Sequence, residues 1–414
     1  MTSGRITRRE FLTKAAVGTA GIALAGGTVL APSRVYGAND RLSIGVIGYG
    51  QRCQSLLGDF QKAAKSCDAE ITAVCDIWTR NLDACANRVK GWGGPEPRKF
   101  RYLEQLLALG DVDGVIIATC DFQHARMLAQ AVRAGKDVYC EKPMANNIED
   151  ARGVLDAMQG SGRVVQIGTQ RRSEGKYQAA ADFVKTGKLG TISKVDVEWN
   201  YFGPRWRRDD VNDVKREDTN WRRFLMGKPY RPWDPHQYME WRLFRDFSSG
   251  IPDQWMSHMI DVVHWLTGEQ FPKSVVAHGG TYVWKDGREN GDTFHALLEY
   301  PKGFLVSYET KFGNSAGDHA LFYGTRGTFD LNAWKATGDG APKDDRIEGE
   351  IVIEPLPGEN HMKNWLDCMR SRKTPNADVV AGYSHSIATI MATRALHSGE
   401  KVFYDPAKQQ IDEV

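Results

Sequence analysis

An apolar segment followed at once by a glycine-containing turn is the feature that most constrains the fold. Residues 42–47 read Leu-Ser-Ile-Gly-Val-Ile, as expected for a strand buried on both faces of a parallel sheet. The turn 48–53 reads Gly-Tyr-Gly-Gln-Arg-Cys, and a helical pattern then continues to Lys62. A strand, a G-x-G turn and a helix in this order are typical of the first unit of a dinucleotide-binding fold.

Each position of this turn has a predicted role. Gly48 permits the tight turn, and Gly50 lets the backbone approach a pyrophosphate at the helix N-terminus. Cys53 stands where the third glycine of the motif would be, and its small side chain still allows the helix to pack on the strand. The predicted cofactor-binding residues of the turn are Gly48, Tyr49, Gly50, Gln51 and Arg52.

An acidic residue ends the second predicted strand. Residues 70–75 form this strand, and Asp76 follows it. A carboxylate there can accept hydrogen bonds from the adenosine ribose hydroxyls, which favours NAD. Arg80 on the next turn could meet a 2′-phosphate, so NADP stays open. The alternative role for Asp76 is to cap a helix.

Strands and helices continue to alternate as far as residue 168. The predicted strands are 113–119, 137–140 and 163–168, and the predicted helices are 122–134 and 148–158. Short connections between them indicate a doubly wound parallel sheet of the α/β class, with ligands at the carboxyl ends of the strands. Those ends carry the Gly turn, Asp76, residues 119–121, 141–143 and 169–170.

The tripeptide Glu141-Lys142-Pro143 directly follows one of these strands. With the Gly turn, Asp76, and residues 119–124 and 168–172, it resembles the glucose–fructose oxidoreductase / inositol dehydrogenase / MocA (Gfo/Idh/MocA) family over about residues 41–400. The resemblance implies that Lys142 lies beside the nicotinamide. It also implies that Pro143, which is commonly cis in the family, orients the Lys142 side chain.

The resemblance also implies further cofactor-binding residues, namely Thr119, Cys120, His124, Glu141 and Gln170. Family members often have proline where Cys120 stands, and its absence should soften this turn. The role of Lys142 is chemically reasonable in itself, because an ammonium near a reacting hydroxyl stabilises alkoxide charge and can relay a proton. The alternative is a solvated surface lysine.

The sequence pattern changes at about Arg171. Helices are predicted at 177–185, 361–370 and 383–397, and strands at 192–201, 274–284, 293–300, 304–310 and 320–323. The resemblance implies an α+β domain with a large open, mostly antiparallel sheet that covers the active site. The predicted division is a signal peptide at 1–38, a Rossmann domain at 39–170, and a substrate-binding and oligomerisation domain at 171–414.

Tryptophan is concentrated in the second domain. Seven of the twelve tryptophans lie between residues 199 and 265: Trp199, Trp206, Trp221, Trp233, Trp241, Trp255 and Trp265. Aromatic faces pack on sugar C–H surfaces while polar groups bind hydroxyls, although each tryptophan alone could belong to the core. Arginines at 205, 207 and 208 are followed by Asp209, Asp210 and Asp213, which argues against nucleic acid as the partner. The predicted substrate residues are Lys142, Tyr201, Trp206, Arg242, Trp255 and His258.

The segment 249–261 is the second key motif and leads into an expected amphipathic helix ending near Leu266. His258 matches the family's catalytic histidine, which takes the hydroxyl proton; a buried core histidine is the alternative. Family sugar dehydrogenases usually have Asp four residues earlier, where this chain has Gln254 beside Asp253. Both are therefore candidate catalytic residues. Asp261 is expected to help His258 or to be structural, and His264 to pack.

These features predict an oxidoreductase that acts on a hydroxyl of a sugar, glycoside or polyol, with Lys142 and His258 at the hydride-transfer centre. The cofactor is NAD or NADP, with NAD favoured, and is tightly bound. A glycosidase or lyase that oxidises its substrate transiently is the alternative, favoured by Gln254. A non-catalytic sugar-binding protein is a third reading. No metal site is predicted, and the resemblance implies a homodimer or homotetramer.

The first 38 residues resemble a twin-arginine export signal. Arg8-Arg9 precedes Glu10-Phe11-Leu12, an apolar run at 15–31 and a small-residue boundary at 35–38. We therefore expect a periplasmic, exported protein with no membrane association after signal removal; a retained anchor is the alternative. The net charge of +2 gives no reason to expect a membrane or nucleic-acid surface. The seven cysteines form no C-x-x-C pair and are expected to be buried thiols.

Overall fold

The computed structural model describes residues 41–413. The predicted export signal, including Arg8 and Arg9, lies outside the described residues. Within residues 41–413 the strands form a six-stranded sheet, a ten-stranded sheet and a small two-stranded sheet. The described residues contain no helix that combines the length and the apolar character needed to cross a bilayer.

The first sheet is wholly parallel, in the order β3-β2-β1-β4-β5-β6. Its strands are β1 Leu42–Ile47, β2 Ala69–Cys75, β3 Arg98–Phe100, β4 Gly114–Ile117, β5 Asp137–Cys140 and β6 Val165–Ile167. Its helices are α1 Gln51–Ala64, α2 Thr79–Lys90, α3 Leu103–Leu107, α4 Asp121–Arg133 and α5 Ile148–Met158. The predicted doubly wound sheet is confirmed, although β4 and β6 are shorter than the strands predicted at 113–119 and 163–168.

The second sheet contains ten strands within the described residues, in the order β16-β15-β14-β13-β7-β11-β10-β9-β17-β18. Of its pairings, β7 with β11 is parallel and the rest are antiparallel, as expected from the resemblance. The strands are β7 Ile192–Glu198, β9 Ser274–Gly280, β10 Thr293–Tyr300, β11 Phe304–Lys311, β13 His319–Gly324, β14 Gly327–Asp330, β15 Lys335–Thr337, β16 Glu350–Val352, β17 Val402–Asp405 and β18 Gln410–Glu413. Strands β8 Tyr201–Phe202 and β12 Gly313–Asn314 form the two-stranded sheet.

In the second sheet, two more predicted strands were too long, and side chains explain both endings. The strand predicted at 192–201 ends at Glu198, because Asp318 Oδ1 accepts from the Asn200 N–H at 2.7 Å and draws the chain out of the sheet. The strand predicted at 274–284 ends at Gly280, because the Asp292 carboxylate accepts from the N–H groups of residues 282–284. Such local side-chain bonds compete with strand pairing.

The remaining helices pack between the sheets or against them. They are α6 Gly175–Lys185, α7 Trp221–Leu225, α8 Pro235–Met239, α9 Ser257–Thr267, α10 His361–Ser371 and α11 Val379–Ser398. Helix α9 is buried on most of its surface, so the expected amphipathic helix was wrong; it packs against α6 and α11. Helix α10 returns to the first sheet, where Trp365 and Leu366 join the core with Tyr139. The segment assigned to the second domain thus completes the first.

All seven cysteines are buried and form no disulfide, as predicted for thiols. The described residues contain no group of three or more His, Cys, Asp or Glu side chains that could hold a metal ion.

Candidate active site

A cleft of about 540 Å³ lies along the carboxyl ends of the first sheet. The Gly turn and Asp76 form one side of it, and α7, α8 and the segment after α8 form the other. The predicted residues that line this cleft are Gly48, Tyr49, Gly50, Gln51, Arg52, Asp76, Thr119, Cys120 and Arg242.

The Gly turn has the geometry that a dinucleotide needs. Gly48 has a φ of +82°, and a Cβ there would lie 2.7 Å from the Thr119 methyl group. Gly50 precedes α1, whose N-terminus receives no side-chain cap, and a Cβ on Gly50 would meet no described atom within 4 Å. The first N–H groups of α1 therefore face open space, where they can bind a pyrophosphate.

Asp76 is held in place by backbone groups from two sides of the cleft. Its Oδ2 accepts from the Tyr49 N–H at 2.8 Å and its Oδ1 from the Trp78 N–H at 2.8 Å. The residue that caps α2 is Trp78 rather than Asp76. The Asn81 side chain also hydrogen-bonds this carboxylate. A carboxylate has about four acceptor positions, so capacity remains for a ribose hydroxyl. Burial raises the pKa of Asp76 to about 6.

The structure does not bring Arg80 to the cleft. Its guanidinium carbon lies 3.7 Å from the centroid of the Trp78 ring, and its nearest carboxylate is that of Asp213 at 3.6 Å. Arg101 lines the cleft instead and donates to the Ile77 carbonyl at 2.9 Å. Sequence reasoning missed Arg101, which directly follows β3, 25 residues beyond Asp76 in a segment without a motif.

Glu141 binds side chains from two separate segments of the first domain. Its Oε1 accepts from Arg52 Nε at 2.8 Å and from Gln170 Nε2 at 3.2 Å. Gly168 is required here, because a Cβ at this position would lie 2.6 Å from Glu141 Oε1. Glu141 therefore joins α1 to the end of β6 in the described protein, and Arg52 and Gln170 are its partners.

Lys142 lies in a buried turn whose Lys142–Pro143 peptide bond is cis, as the resemblance implied for the proline. Its side chain is 9% exposed, so the predicted alternative of a solvated lysine was wrong. Its Nζ donates to the carbonyls of Gln254 at 2.8 Å and Asp253 at 3.2 Å. Burial lowers the pKa of Lys142 to about 8. His124 does not line the cleft; its Nδ1 contacts the Pro143 carbonyl at 2.8 Å and braces this turn.

The two carbonyls that bind Lys142 belong to a π-helical turn, Pro252–Met256, at the start of α9. A π turn widens the helix and changes which carbonyls are free, and such turns are frequent at functional sites. The backbone of the 249–261 motif, rather than its side chains, thus orients the lysine.

The side chains of Asp253 and Gln254 point to other partners. Asp253 is fully buried, and its Oδ2 accepts from the Ser249 N–H at 2.8 Å while Oδ1 has no described partner. Burial, together with Asp121, raises the pKa of Asp253 to about 7. Gln254 accepts from Arg242 Nε at 2.9 Å and donates to Asp121 Oδ2 at 2.5 Å.

Asp121 is a site residue that sequence reasoning missed. It is 2% exposed and accepts from the Ser248 hydroxyl at 2.7 Å as well as from Gln254. Its charge favours the protonated form of Lys142 and of Arg242. The chain therefore has a carboxylate on the Rossmann side of the site, next to the position where Gln254 stands. The sequence signal that could have indicated Asp121 is its position directly after Thr119-Cys120, at the end of a predicted strand.

His258 lies one helical turn beyond these residues. It contacts a group of aromatic side chains, Trp199, Tyr201 and Trp255, which we call the aromatic wall. The Trp199 and Trp255 ring centroids are 4.6 Å apart, and Trp199 meets the His258 ring edge-on at 6.1 Å. Burial, with the charges of Lys142 and Arg171, lowers the pKa of His258 well below its usual value. The imidazole is therefore neutral at physiological pH and can accept a proton.

The seven tryptophans do not form a single surface. Trp199 and Trp255 belong to the wall, and Trp206 packs on Phe312 behind it, with ring centroids 5.3 Å apart. Trp221, Trp233 and Trp241 form a separate core with Phe224 and Phe247, which supports the far side of the cleft. Several of these tryptophans therefore belong to the core, which is the alternative that the sequence left open for each of them.

Asp261 and His264 have structural contacts. Asp261 accepts two hydrogen bonds from Arg172 Nε at 2.8 and 3.0 Å, and its pKa is low because Arg172 and His385 outweigh the effect of burial. His264 Nε2 lies 2.8 Å from the Tyr300 hydroxyl. Packing was the expected role of His264, and the described contacts agree with it.

Two family models match the chain. One, described as an oxidoreductase family with an NAD-binding Rossmann fold (GFO/IDH/MocA), matches residues 42–169, and the GFO/IDH/MocA C-terminal domain matches residues 223–330. Together they span more than half of the chain.

Curated relatives include inositol 2-dehydrogenases. That of Pseudarthrobacter chlorophenolicus is 22% identical over 81% of this chain and 88% of its own length. Inositol 2-dehydrogenase 3 of Saccharopolyspora erythraea is 33% identical over 36% of this chain, and the match spans only 42% of that relative's length.

Solved structures share the fold. The WlbA dehydrogenase of Bordetella pertussis, in complex with NADH and UDP-GlcNAcA, has a TM-score of 0.67 at 22% identity, covering 88% of this chain and 99% of that one. The aldose–aldose oxidoreductase of Caulobacter crescentus, complexed with glycerol, has a TM-score of 0.65 at 19% identity, covering 88% and 100%. At these identities the likeness concerns the fold alone.

Proposed function

Because the chain belongs to the Gfo/Idh/MocA family of oxidoreductases, we propose that it oxidises or reduces a hydroxyl group of a sugar, glycoside or polyol with NAD or NADP. The observation that carries the proposal is the contact of Lys142 Nζ with the turn that leads into His258. Lys142, His258 and the aromatic wall are neighbours, since the Lys142 charge acts on the His258 imidazole and Trp199 contacts its ring. The named activities of the relatives, which act on inositol or on aldoses, agree with such a substrate.

We propose the following roles for the chain's own residues. Lys142 binds the reacting oxygen and stabilises the charge that develops on it, and its pKa of about 8 allows it to hold or release a proton near neutrality. His258 accepts the hydroxyl proton. Trp199, Tyr201 and Trp255 exclude water and pack on the C–H face of the ring. When bound, the nicotinamide supplies the redox chemistry.

The cofactor would be held by the Gly turn, the N-terminus of α1 and Asp76. The remaining acceptor capacity of the Asp76 carboxylate suits a ribose hydroxyl, which favours NAD. Tight binding is part of the proposal, and it is tested by denaturing the protein as purified and assaying the released nucleotide. One equivalent of nucleotide is expected, and none would contradict tight binding.

The experiment that tests the activity is a panel of free sugars, glycosides and polyols, each supplied with NAD or NADP. Reduced-nicotinamide absorbance is followed, and the products are identified by mass spectrometry. A rise in absorbance matched by a product two hydrogens lighter is expected for at least one compound. A panel without any cofactor-dependent product would contradict the proposal.

A second candidate function is cleavage of a glycosidic bond through transient oxidation and reduction of the sugar. Asp253 favours it, because a buried carboxyl group with a pKa of about 7 beside Lys142 can exchange a proton near neutrality. The same panel separates the two functions. Cleavage of the aglycone with no lasting change in absorbance supports the second candidate.

Export through the twin-arginine pathway and assembly into a homodimer or homotetramer are also proposed. The Arg8-Arg9 segment supports export, and replacing both residues by lysine should retain the protein in the cytoplasm of cells that otherwise export it.

Apolar side chains on the second sheet support assembly, since Val276, Leu297 and Leu305 are each about 40% exposed or more.

A further inference from the structure

Two arginines contact the aromatic wall without a carboxylate partner. The guanidinium carbon of Arg171 lies 5.1 Å from the Trp199 ring centroid, and that of Arg205 lies 5.0 Å from Tyr201 and 5.8 Å from Trp255. Within residues 41–413, neither arginine forms an ion pair with an Asp or Glu side chain. Because Trp199 stacks on Trp255, the two cations flank one continuous aromatic surface.

The arginines next to them in sequence behave differently. Arg172, adjacent to Arg171, binds Asp261 at 2.8 Å. Arg207 and Arg208, which follow Arg205 closely, bind Glu240 at 2.7 Å and Asp210 at 2.6 Å. The chain has 52 acidic and 54 Lys and Arg residues, so carboxylates are not scarce. Only the arginines that contact the wall, among these five neighbours in the described protein, lack one.

Arg242 adds a third guanidinium near the wall. It stacks on Trp241, with 4.0 Å between the guanidinium carbon and the ring centroid, and its Nε binds the neutral Oε1 of Gln254. Gln254 is followed directly in sequence by Trp255, which belongs to the wall. Arg242 also forms no ion pair with a carboxylate among residues 41–413, and Asp121 reaches it only through Gln254.

Positive charge near the wall acts on His258. Burial disfavours its protonated form most, and the charges of Lys142 and Arg171 add to this effect. A general base becomes cationic when it accepts the proton, so these charges oppose the role proposed for His258. A negative charge bound by the arginines would offset their field and make the protonated imidazole less costly.

We propose that the substrate is an acidic carbohydrate, whose carboxylate or phosphate group is bound by Arg171 and Arg205 at the aromatic wall, with Arg242 behind. A guanidinium matches the planar, two-oxygen edge of either anion, and the tryptophans pack on the ring that carries it. This assignment rests on the proposed function, because it assumes that the wall holds the ring that reacts. It specifies a hexuronate or a sugar phosphate in preference to a neutral hexose or inositol.

Binding and turnover are measured separately so that the two proposals can fail independently. The purified protein, supplied with cofactor, is titrated by calorimetry with a hexuronate, the corresponding uronamide, the neutral hexose and a hexose phosphate. The uronamide has the shape of the uronate without its charge. Turnover is measured with the same four compounds.

The variants are Arg171→Gln, Arg205→Gln and the control Arg346→Gln, which removes one positive charge at an exposed position outside the wall. We expect one anionic compound to bind at least about tenfold more tightly than its neutral counterpart, and each wall variant to lose about that factor for the anion only. Arg346→Gln should bind like the wild type. Melting temperatures check that the exposed Arg205 position leaves the fold intact.

Preference for the hexuronate assigns a carboxylate, and preference for the hexose phosphate assigns a phosphate. Equal affinity for the hexuronate and the uronamide, with no gain for the phosphate, would overturn the inference, as would wall variants that weaken neutral and anionic compounds equally. If an anion binds selectively but no compound is turned over, the charge assignment stands and the proposed activity fails. If neutral compounds alone are turned over, the proposed activity stands and the charge assignment fails.

Discussion

Two buried lysines stand at opposite ends of β5, and they differ in what surrounds them. Lys136, before the strand, donates to the carbonyls of Leu109 and Val112, and Lys142, after it, donates to those of Asp253 and Gln254. Burial lowers the pKa of both. Only Lys142 lies at the carboxyl edge of the sheet, beside His258 and the cleft. Each lysine thus donates to two backbone carbonyls, but only Lys142 stands where we propose that the substrate binds.

Replacing Lys142 with Met should lower turnover by at least about 100-fold, because the charge on the reacting oxygen loses its stabilising ammonium group. The folded pKa of about 8 is below the unfolded value of 10.5, so burying the charged lysine costs stability below pH 8, and this cost is relieved as pH rises toward 10.5. Lys142→Met should therefore melt no lower than wild type at pH 7. Lys136→Met is the matched control; unchanged turnover in Lys142→Met would contradict the assigned role.

Asp76 gives a pH dependence to cofactor binding. Its folded pKa of about 6 means that the carboxylate is ionised at pH 7.5 and becomes protonated as pH falls through 6. Protonation removes an acceptor for the ribose hydroxyls, so the cofactor dissociation constant should rise by about threefold to tenfold between roughly pH 7.5 and 5. Fluorescence titration checks this. Asp76→Asn should bind more weakly and lose the dependence; a pH-independent wild type would refute it.

The chemistry at single positions could be predicted where a residue acts within its own motif. Gly48 was found in this way, and its positive φ is confirmed. The roles of Lys142 and His258 come from the family resemblance and stay predictions. Asp121 was not found, because its role depends on Gln254, which is 133 residues away in sequence. Arg80 was predicted to reach the cleft, but Arg101 reaches it instead. Arg101 does so because β3, which it follows, pairs with β2, and this pairing could not be predicted from a local motif.

At the level of helices and strands, one buried ion pair connects three segments. Asp261 on α9 binds Arg172 from the turn after β6, and His385 on α11 lies 3.8 Å from the same carboxylate. The Asp261 side chain is 1% exposed, so the pair is screened little by solvent. This contact fixes α9, and with it the π turn that orients Lys142.

Removing one partner of this pair should destabilise the fold. Asp261→Asn leaves Arg172 buried without its charge partner, and we expect a loss of about 3 kcal/mol in the free energy of unfolding, measured by urea denaturation. Glu350→Gln, which breaks the exposed pair with Lys335, should cost less than about 1 kcal/mol. Equal losses in the two variants would show that the Asp261 pair does not carry the stability assigned to it.

Strand periodicity predicted most elements, and its failures have physical causes. Alternation continued past Glu198 and Gly280, but Asn200, Asp318 and Asp292 bind backbone groups and end the strands. The π turn at 252–256 has no sequence signature, because it differs from an α-helix by one residue per turn. The short β3 and α3 carry too few residues for a periodic pattern.

At the scale of the whole molecule, the second sheet keeps one face uncovered in the single chain. Val276 on β9 pairs with Leu297 on β10, and both are exposed, as is Leu305 on β11. Adjacent exposed apolar residues on a broad sheet are typical of a protein interface.

The division into two domains could be predicted from sequence, but the return of α10 to the first sheet depends on tertiary packing that no local pattern encodes.

Leu297→Glu should disrupt assembly, because it places a charge at the centre of this apolar group. Light scattering after gel filtration should report a monomer for Leu297→Glu and the wild-type oligomer for Leu356→Glu, an exposed apolar position outside the sheet. A wild-type protein that is itself monomeric, or an unaffected Leu297→Glu oligomer, would contradict assembly through this face.

Transfer of deuterium from substrate to cofactor tests the central claim most directly. The protein is incubated with NAD or NADP and with perdeuterated hexoses, hexuronates and polyols, and the nicotinamide is examined by mass spectrometry. We predict one deuterium per reduced cofactor with at least one compound, together with an equal amount of oxidised carbohydrate, and transfer at least about 100-fold slower with Lys142→Met. Carbohydrate products formed without deuterium ever reaching the nicotinamide would contradict the proposed oxidation of a carbohydrate hydroxyl.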